Sequence, residues 1–198
     1  QMPDNKRKSA DKTRNKILRS AAQIFSKQGF SGTSMQAIAD KAQVNQNLIY
    51  HHFKNKAALW KITKAYIFSQ VAVGDDALPL ASHGLKAVLS HLIHQRFMFY
   101  NNRKAARMML WQQLEPNQEG LMSSGAAVSP DQWRPVFAEL QEQGMLRKDI
   151  DPDFIISWVS SSVTGVLFAN QPFFKGNTQR KQAYIDRLIR EFNGVLSA

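Results

Sequence analysis

Four polar side chains in one short segment of the sequence have the types needed to read the edges of DNA bases. Gln46, Asn47, Tyr50 and His51 all lie off the apolar stripe of a predicted helix that follows Asn45. Glutamine and asparagine can form paired hydrogen bonds with adenine, whereas tyrosine and histidine can reach a phosphate or a thymine methyl group. Taken singly, each of them is better explained as an ordinary polar residue on a solvated surface.

The segment follows another short predicted helix, and the pair has the pattern of a helix-turn-helix. Small or apolar residues can pack the two helices across a turn of three or four residues: Ile38, Ala39, Ala42, Val44, Leu48 and Ile49. In such a motif the second helix enters the major groove and the first crosses the DNA backbone. Lys54 and Lys56, at the exit of the second helix, are placed for phosphate contacts that position the protein without specifying sequence.

Capping residues predict the ends of these helices. The run from Thr33 to Gln36 is interpreted as a capping box with Thr33 as the N-cap, which predicts a helix over about 34–41. Asn45 is the predicted N-cap of the second helix, which ends near His52 or Phe53. A longer amphipathic helix over about 9–28 precedes both and stops at Gly29, a residue typical of helix C-termini.

Helical periodicity continues through the rest of the chain, with no long run of alternating β-branched residues. Further helices are predicted at about 55–73, 85–101, 104–114, 131–143, 153–171 and 179–196, with a loop rich in Pro, Gly and Ser at 115–130. The predicted fold class is all-α with about nine helices. A three-helix helix-turn-helix head at the N-terminus is followed by a larger helical domain.

The charge is concentrated in the first third of the 198 residues, whose formal net charge is +11. Residues 1–64 carry 13 basic and 3 acidic side chains, which gives this part a net charge of +10 and favours a polyanionic partner. The absence of cysteine excludes disulfides, thiolate zinc sites and cysteine nucleophiles. No secretion signal or long apolar span is recognised, so we expect a cytoplasmic protein with no membrane partner.

A longer string of residues resembles the DNA-binding domain of the TetR family of transcriptional regulators over about residues 10–60. It runs from Gly32 to Ala39 and through Ala42–Asn45 to the spaced set Tyr50, Phe53, Lys56 and Leu59. The resemblance implies a helix-turn-helix domain at 10–56 and a ligand-binding and dimerisation domain at 57–198. Residues 1–9 are interpreted as a disordered basic arm that either gains order on DNA or serves as a solubilising tail.

Carried over by position, the resemblance assigns three sets of DNA-binding residues. Thr33 and Ser34 would touch phosphate, Gln46, Asn47, Tyr50 and His51 would face the groove, and Lys54 and Lys56 would clamp the backbone. The sequence departs from the family at Gln43, where the family usually has glycine. A left-handed conformation would cost glutamine about 1 kcal/mol, which predicts a slightly altered turn.

The C-terminal domain offers candidates for a ligand pocket and a dimer surface. Phe97, Met108, Trp111 and Trp158 are predicted pocket walls, although large apolar side chains are more often simply core. Two apolar stripes are predicted to pair with a second copy of the chain. They comprise Ile155, Ile156, Val159, Val163, Val166 and Leu167 on one helix and Tyr184, Ile185, Leu188, Ile189, Phe192 and Leu196 on the next. The alternative is that both stripes are internal core.

The sequence therefore predicts a ligand-responsive repressor that binds a palindromic DNA operator as a homodimer and is released by an unidentified small molecule. We expect no cofactor, no metal and no enzyme activity, since no phosphate loop, nucleophile elbow or paired carboxylates are found. His91 and His94 have helical spacing for zinc but no evident third ligand. Two alternatives remain: a non-specific DNA-coating protein and a small helical enzyme.

Overall fold

Nine α-helices and one turn of 3-10 helix account for most of the residues that the structure, a computed structural model, describes: 4–71, 78–115, 130–168, 174 and 176–198. The helices are α1 (Asp4–Gln28), α2 (Met35–Ala42), α3 (Gln46–Phe53), α4 (Lys56–Ser69), α5 (Leu85–Asn101), α6 (Arg103–Leu114), α7 (Pro130–Glu142), α8 (Pro152–Leu167) and α9 (Thr178–Leu196), and the 3-10 turn is Ala81–His83. This confirms the all-α prediction. In the described ranges, no helix combines the length and the apolar character that crossing a membrane requires.

Side-chain caps fix where several helices begin. Asn102 accepts hydrogen bonds from the backbone N–H groups of Lys104 and Ala105 at the start of α6. Asp151 and Asn177 cap α8 and α9 in the same way. These side chains satisfy N–H groups that the first turn of a helix leaves without a partner. The predicted loop at 115–130 lies, apart from its end residues, outside the described residues.

The helices form two separate units, of which the first contains α1–α4 and α6. The boundary predicted at residue 57 assigned α4 and α6 to the C-terminal domain, but both pack against α1. Trp60 of α4 meets the ring of Phe25 edge-on, with centroids 5.0 Å apart, so α4 helps to bury the apolar face of α1. Helix α1 itself begins at Asp4, so residues 4–9 lie in a helix and not in the expected disordered arm.

The second unit contains the 3-10 turn, α5, α7, α8 and α9, and α5 packs against both α8 and α9. The core of this unit contains most of the residues that were predicted to form the dimer surface, so that part of the prediction is corrected. The greater part of the two predicted stripes is buried within this one chain: Ile155, Ile156, Val159 and Val163 of α8, and Ile185, Ile189, Phe192 and Leu196 of α9. Because these side chains are buried in the core of one chain, they are not available to a second copy.

Candidate nucleic-acid interface

The start of α2 differs in detail from the predicted capping box. The N-cap is Ser34, whose exposed hydroxyl accepts a hydrogen bond of 3.0 Å from the N–H of Ala37. Thr33 is 2% exposed, and its hydroxyl donates to the carbonyl of Gly29 at 2.7 Å. The prediction of Thr33 as the N-cap is therefore wrong. A phosphate contact from its side chain would require this burial to be lost, whereas Ser34 is open to solvent.

The turn between α2 and α3 has the left-handed conformation that glycine adopts without strain. Gln43 has φ 50° and ψ 51°, and its N–H donates to the carbonyl of Asp40 at 3.1 Å. Its side chain accepts a hydrogen bond of 3.4 Å from Nζ of Lys16, which ties the turn to α1. The turn therefore keeps its left-handed form with glutamine in place of glycine. The cost is backbone strain at Gln43.

We expect Gln43→Gly to raise the free energy of unfolding by up to about 1 kcal/mol. The gain from relieving the left-handed strain is reduced because glycine has more freedom in the unfolded chain. Urea denaturation followed by circular dichroism measures the effect. Lys41→Gly is the matched control, since Lys41 lies in α2 itself, where glycine should lower stability by about 1 kcal/mol. A loss of stability in both variants would contradict the assigned strain.

Helix α3 brings all four predicted base-reading residues onto one element of eight residues. Asn45 caps it by accepting a hydrogen bond of 2.8 Å from the N–H of Asn47, and Ile49 and Phe53 are buried against the rest of the unit. Asn47, Tyr50 and His51 are exposed, and Gln46 is half-buried. Three of the four predicted residues thus lie on the surface, and their chemistry suits base edges and phosphates.

The two predicted clamp lysines lie in different surroundings. Lys54 is exposed and has φ 63°, and its N–H donates to the carbonyl of Tyr50 at 2.8 Å. Lys56 is half-buried, with Nζ 4.5 Å from the centroid of the Phe30 ring. Burial lowers the pKa of Lys56, and the carboxylate of Glu115 opposes that shift. Lys54 is free to meet a phosphate, whereas Lys56 already contacts its own chain.

Basic residues of α1 were counted as charge in the sequence but assigned to no site. Lys12, Lys16 and Arg19 line an open groove of about 430 Å³ along this helix. The guanidinium carbon of Arg14 lies 5.2 Å from the centroid of the Phe53 ring, so α1 approaches the end of α3. Burial lowers the pKa of His52 there, with smaller contributions of the same sign from its positive neighbours. Helix α1 therefore adds positive charge close to the exposed side chains of α3.

Helix α6 holds the loop between α1 and α2 from the side. The carboxylate of Glu115 accepts hydrogen bonds from the N–H groups of Phe30 (2.8 Å) and Ser31 (3.0 Å) and from the hydroxyl of Ser31. Arg107 Nε donates to the carbonyl of Ser26 at 2.6 Å. A charged acceptor with several donors makes a strong link, which fixes the entry to α2.

We expect Glu115→Gln to lower the free energy of unfolding at pH 7 by about 1–3 kcal/mol, because an amide cannot accept all of these hydrogen bonds. Burial alone would raise the pKa of Glu115, but the hydrogen bonds from Ser31 and Phe30 and the charge of Lys56 outweigh it and lower the pKa. The stabilisation is therefore complete above pH 4.5, the ordinary value, and is lost as the pH falls through the lowered pKa.

Denaturation midpoints of the wild type and of Glu115→Gln should therefore converge as the pH is lowered from 7 to 3. Glu142→Gln, at an exposed position of α7, is the control and should leave the free energy of unfolding at pH 7 within about 0.5 kcal/mol of the wild type. A gap between Glu115→Gln and the wild type that stays constant over this range would contradict the role of the ionised carboxylate.

The four residues predicted to line a ligand pocket are divided between the units, two in each. Met108 is buried in the first unit, where Trp111 donates from Nε1 to the carbonyl of Ser26 at 3.3 Å. In the second unit Phe97 is buried with Phe174 and Tyr184, and Trp158 is 39% exposed. The pocket stays a prediction. The described residues contain no group of three or more His, Asp or Glu side chains able to hold a metal ion.

Comparison with known proteins identifies relatives for both the head and the whole chain. The family model "Bacterial regulatory proteins, tetR family" matches residues 17–61, which run from α1 into α4. The transcriptional repressor NicS of Pseudomonas putida is 28% identical over 150 residues, 71% of this chain and 69% of that protein. The probable acrEF/envCD operon repressor of Escherichia coli is 25% identical over 199 residues, 91% of this chain and 87% of that protein.

Solved structures share the fold along nearly the whole length. The crystal structure of NalD, the secondary repressor of the MexAB-OprM multidrug efflux pump in Pseudomonas aeruginosa, has a TM-score of 0.67 to this chain. The two are 21% identical, and the match covers 96% of this chain and 98% of NalD. At this level of identity the likeness shows a common fold.

Proposed function

This chain belongs to the TetR family of transcriptional regulators, and we propose that it is a repressor whose two copies read a palindromic operator through α3 and are released by a small molecule. The observation that carries the proposal is the surface of α3. Asn47, Tyr50 and His51 are exposed on a helix that is capped at its start and anchored by two buried residues. We expect the protein to be cytoplasmic, because the bacterial DNA that it would control lies there.

Affinity and specificity would come from different residues. Gln46 and Asn47 can pair with adenine edges, and each such pair is worth about 1–3 kcal/mol of discrimination. Lys54 and the N-terminal end of α2, where Ser34 is exposed, are suited to phosphates, which position the helix. The positive charge of α1 adds affinity that does not depend on sequence and that weakens with salt.

We propose that dimerisation uses the side of α8 that its own chain leaves open. Phe154 and Trp158 are exposed there, and the small residues Ser161 and Gly165 continue the same side one and two turns further along. Small residues allow two helices to approach closely. A twofold dimer would present two α3 helices about 34–36 Å apart, one turn of DNA, which is why we expect a palindromic site.

We expect Gly165→Arg to convert the dimer to a monomer without unfolding the chain. A Cβ atom at Gly165 meets nothing within 4 Å, so the arginine is tolerated within one chain but blocks a close partner helix. Analytical ultracentrifugation at micromolar concentration measures the mass, and Glu142→Arg on the exposed side of α7 is the control. A variant that is still fully dimeric would place the interface elsewhere.

Repression and release by an effector rest on the family and on its relatives, among which three are named as repressors. A small molecule releases DNA only if it binds the released conformation more tightly than the DNA-bound one. The relatives are transcriptional regulators, which disfavours the helical enzyme. The charge of the first third keeps non-specific DNA coating as the second candidate function.

A hydroxyl-radical footprint on the DNA upstream of the chain's own gene separates these two candidates. The repressor proposal predicts two protected stretches related by twofold symmetry and centred about one helical turn apart. Uniform protection along the native fragment would favour the DNA-coating function. So would protection that first appears at the same protein concentration on the native and the scrambled fragment.

A further inference from the structure

Leu48 is more exposed than its sequence pattern indicates. The spacing placed it in the apolar set that packs the two short helices together, but 37% of its surface is exposed. Between residues 9 and 71, where the structure describes side chains continuously, the large apolar side chains that reach this degree of exposure are Leu48 and Tyr50. Both lie on α3. Within this stretch, which covers most of α1 and all of α2, α3 and α4, the open apolar surface therefore lies on the helix that carries the polar base-reading residues.

The position of Leu48 on α3 places it beside those polar residues. Ile49 and Phe53 mark the inward side of the helix, since both are fully or almost fully buried. Leu48 is rotated about 100° from Ile49, and it lies one turn before His51 on the same strip of surface. Asn47 precedes it. A surface that α3 contacts through Asn47 and His51 therefore lies next to Leu48.

An aliphatic side chain has one good partner among the base edges of the major groove. The C5-methyl group of thymine projects into that groove, whereas the polar groups there are hydrogen-bond donors and acceptors that a leucine would leave without partners. Burial of the exposed part of Leu48 against a methyl group removes apolar surface of both from water. Gln46 and Asn47 on this helix can form hydrogen bonds with adenine. Leu48 can favour thymine through an apolar contact.

We propose that Leu48 is a specificity-determining residue that reads one thymine in each operator half-site through its C5-methyl group. This inference rests on the proposed function, since it requires a specific operator. It adds to the base-reading residues of α3 one side chain that forms no hydrogen bonds. At the same position cytosine would present an amino group without a partner to this side chain and would be rejected.

A scan of the operator with deoxyuridine tests the proposal, because uracil differs from thymine by the methyl group alone. Each thymine is replaced in turn, together with its symmetry mate, and the affinity is measured by fluorescence anisotropy. We expect the wild-type protein to lose about 15-fold in affinity at one symmetric pair of positions, about 4-fold for each methyl contact. Leu48→Ala should bind the thymine operator more weakly by a similar factor and should be indifferent to uracil at that pair.

Two further variants separate the methyl contact from a general loss of binding. Leu48→Met keeps an apolar side chain of similar reach and should retain sensitivity to uracil at the same pair. Asn47→Ala should lower the overall affinity but leave that sensitivity in place. Because Leu48 is exposed, none of the substitutions at this position should shift the thermal midpoint by more than about 2 °C.

Two results would overturn the inference, and each is distinct from failure of the proposed function. If no uracil substitution weakens wild-type binding, or if Leu48→Ala keeps the full sensitivity, Leu48 does not read a thymine methyl group. If the wild type binds the native and scrambled fragments equally well, the operator itself is absent and the proposed function fails with the inference.

Discussion

Replacement of Gln46 and Asn47 together by alanine, in both copies of the dimer, should lower the affinity for the operator by at least about 10³-fold, to near that for scrambled DNA, while binding to scrambled DNA stays unchanged. Alanine cannot form the paired hydrogen bonds that distinguish adenine, and each pair contributes about 1–3 kcal/mol. The remaining affinity comes from basic residues and phosphates, which neither substitution touches. Fluorescence anisotropy titrations with native and scrambled fragments of equal length measure both quantities.

The variant should remain folded, because Asn47 is exposed and the N-cap of α3 is supplied by Asn45. Circular dichroism checks this. Gln28→Ala, at an exposed position at the end of α1, is the matched control and should leave both affinities unchanged. A parallel loss on both fragments would show that Gln46 and Asn47 supply general affinity, and no loss on either would assign base reading to other residues.

Gly29→Ala should destabilise the chain by about 2–5 kcal/mol, a large part of the stability of an ordinary domain. Gly29 has φ +76°, a left-handed conformation that costs an alanine about 1–2 kcal/mol. A Cβ atom there would also lie 2.7 Å from Cε3 of Trp111 and 3.1 Å from Oε1 of Glu115. Such overlap commonly costs a further 1–3 kcal/mol, because a packed ring cannot move aside freely.

Gly144→Ala separates strain from overlap. Gly144 has φ +70°, but a Cβ atom there meets nothing within 4 Å, so this control should show the backbone cost alone. The difference between the two variants in urea denaturation then measures how firmly Trp111 of α6 is held against the end of α1. Equal effects in the two variants would show that the ring yields and that α6 does not fix this junction.

Local signals predicted the helices well. The 3.6-residue period gave α5 at 85–101, where the structure has Leu85–Asn101, and α3 was expected to begin after its cap at Asn45. Capping residues and glycines act within a few residues of the helix end, so one sequence contains what fixes the boundary. The same holds for the base-reading set, since Gln46, Asn47, Tyr50 and His51 share one helix whatever surrounds it.

Features that depend on distant parts of the chain were not predicted. An apolar stripe on α8 or α9 can be covered by α5 or by a second copy, and the period of the stripe is identical in both cases. Thr33 has the right type for an N-cap, but its hydroxyl is buried because it donates a hydrogen bond to the carbonyl of Gly29. The contact between Glu115 and Phe30 joins residues 85 apart, which no local pattern encodes.

Binding of the purified protein to DNA from just upstream of its own gene tests the central claim most directly. The native fragment and a scrambled fragment of equal length are titrated side by side at two salt concentrations. We predict a preference for the native fragment of at least about 10³-fold at physiological salt, as expected for a specific site. Equal affinities for both fragments, with the same dependence on salt, would contradict operator recognition at this site.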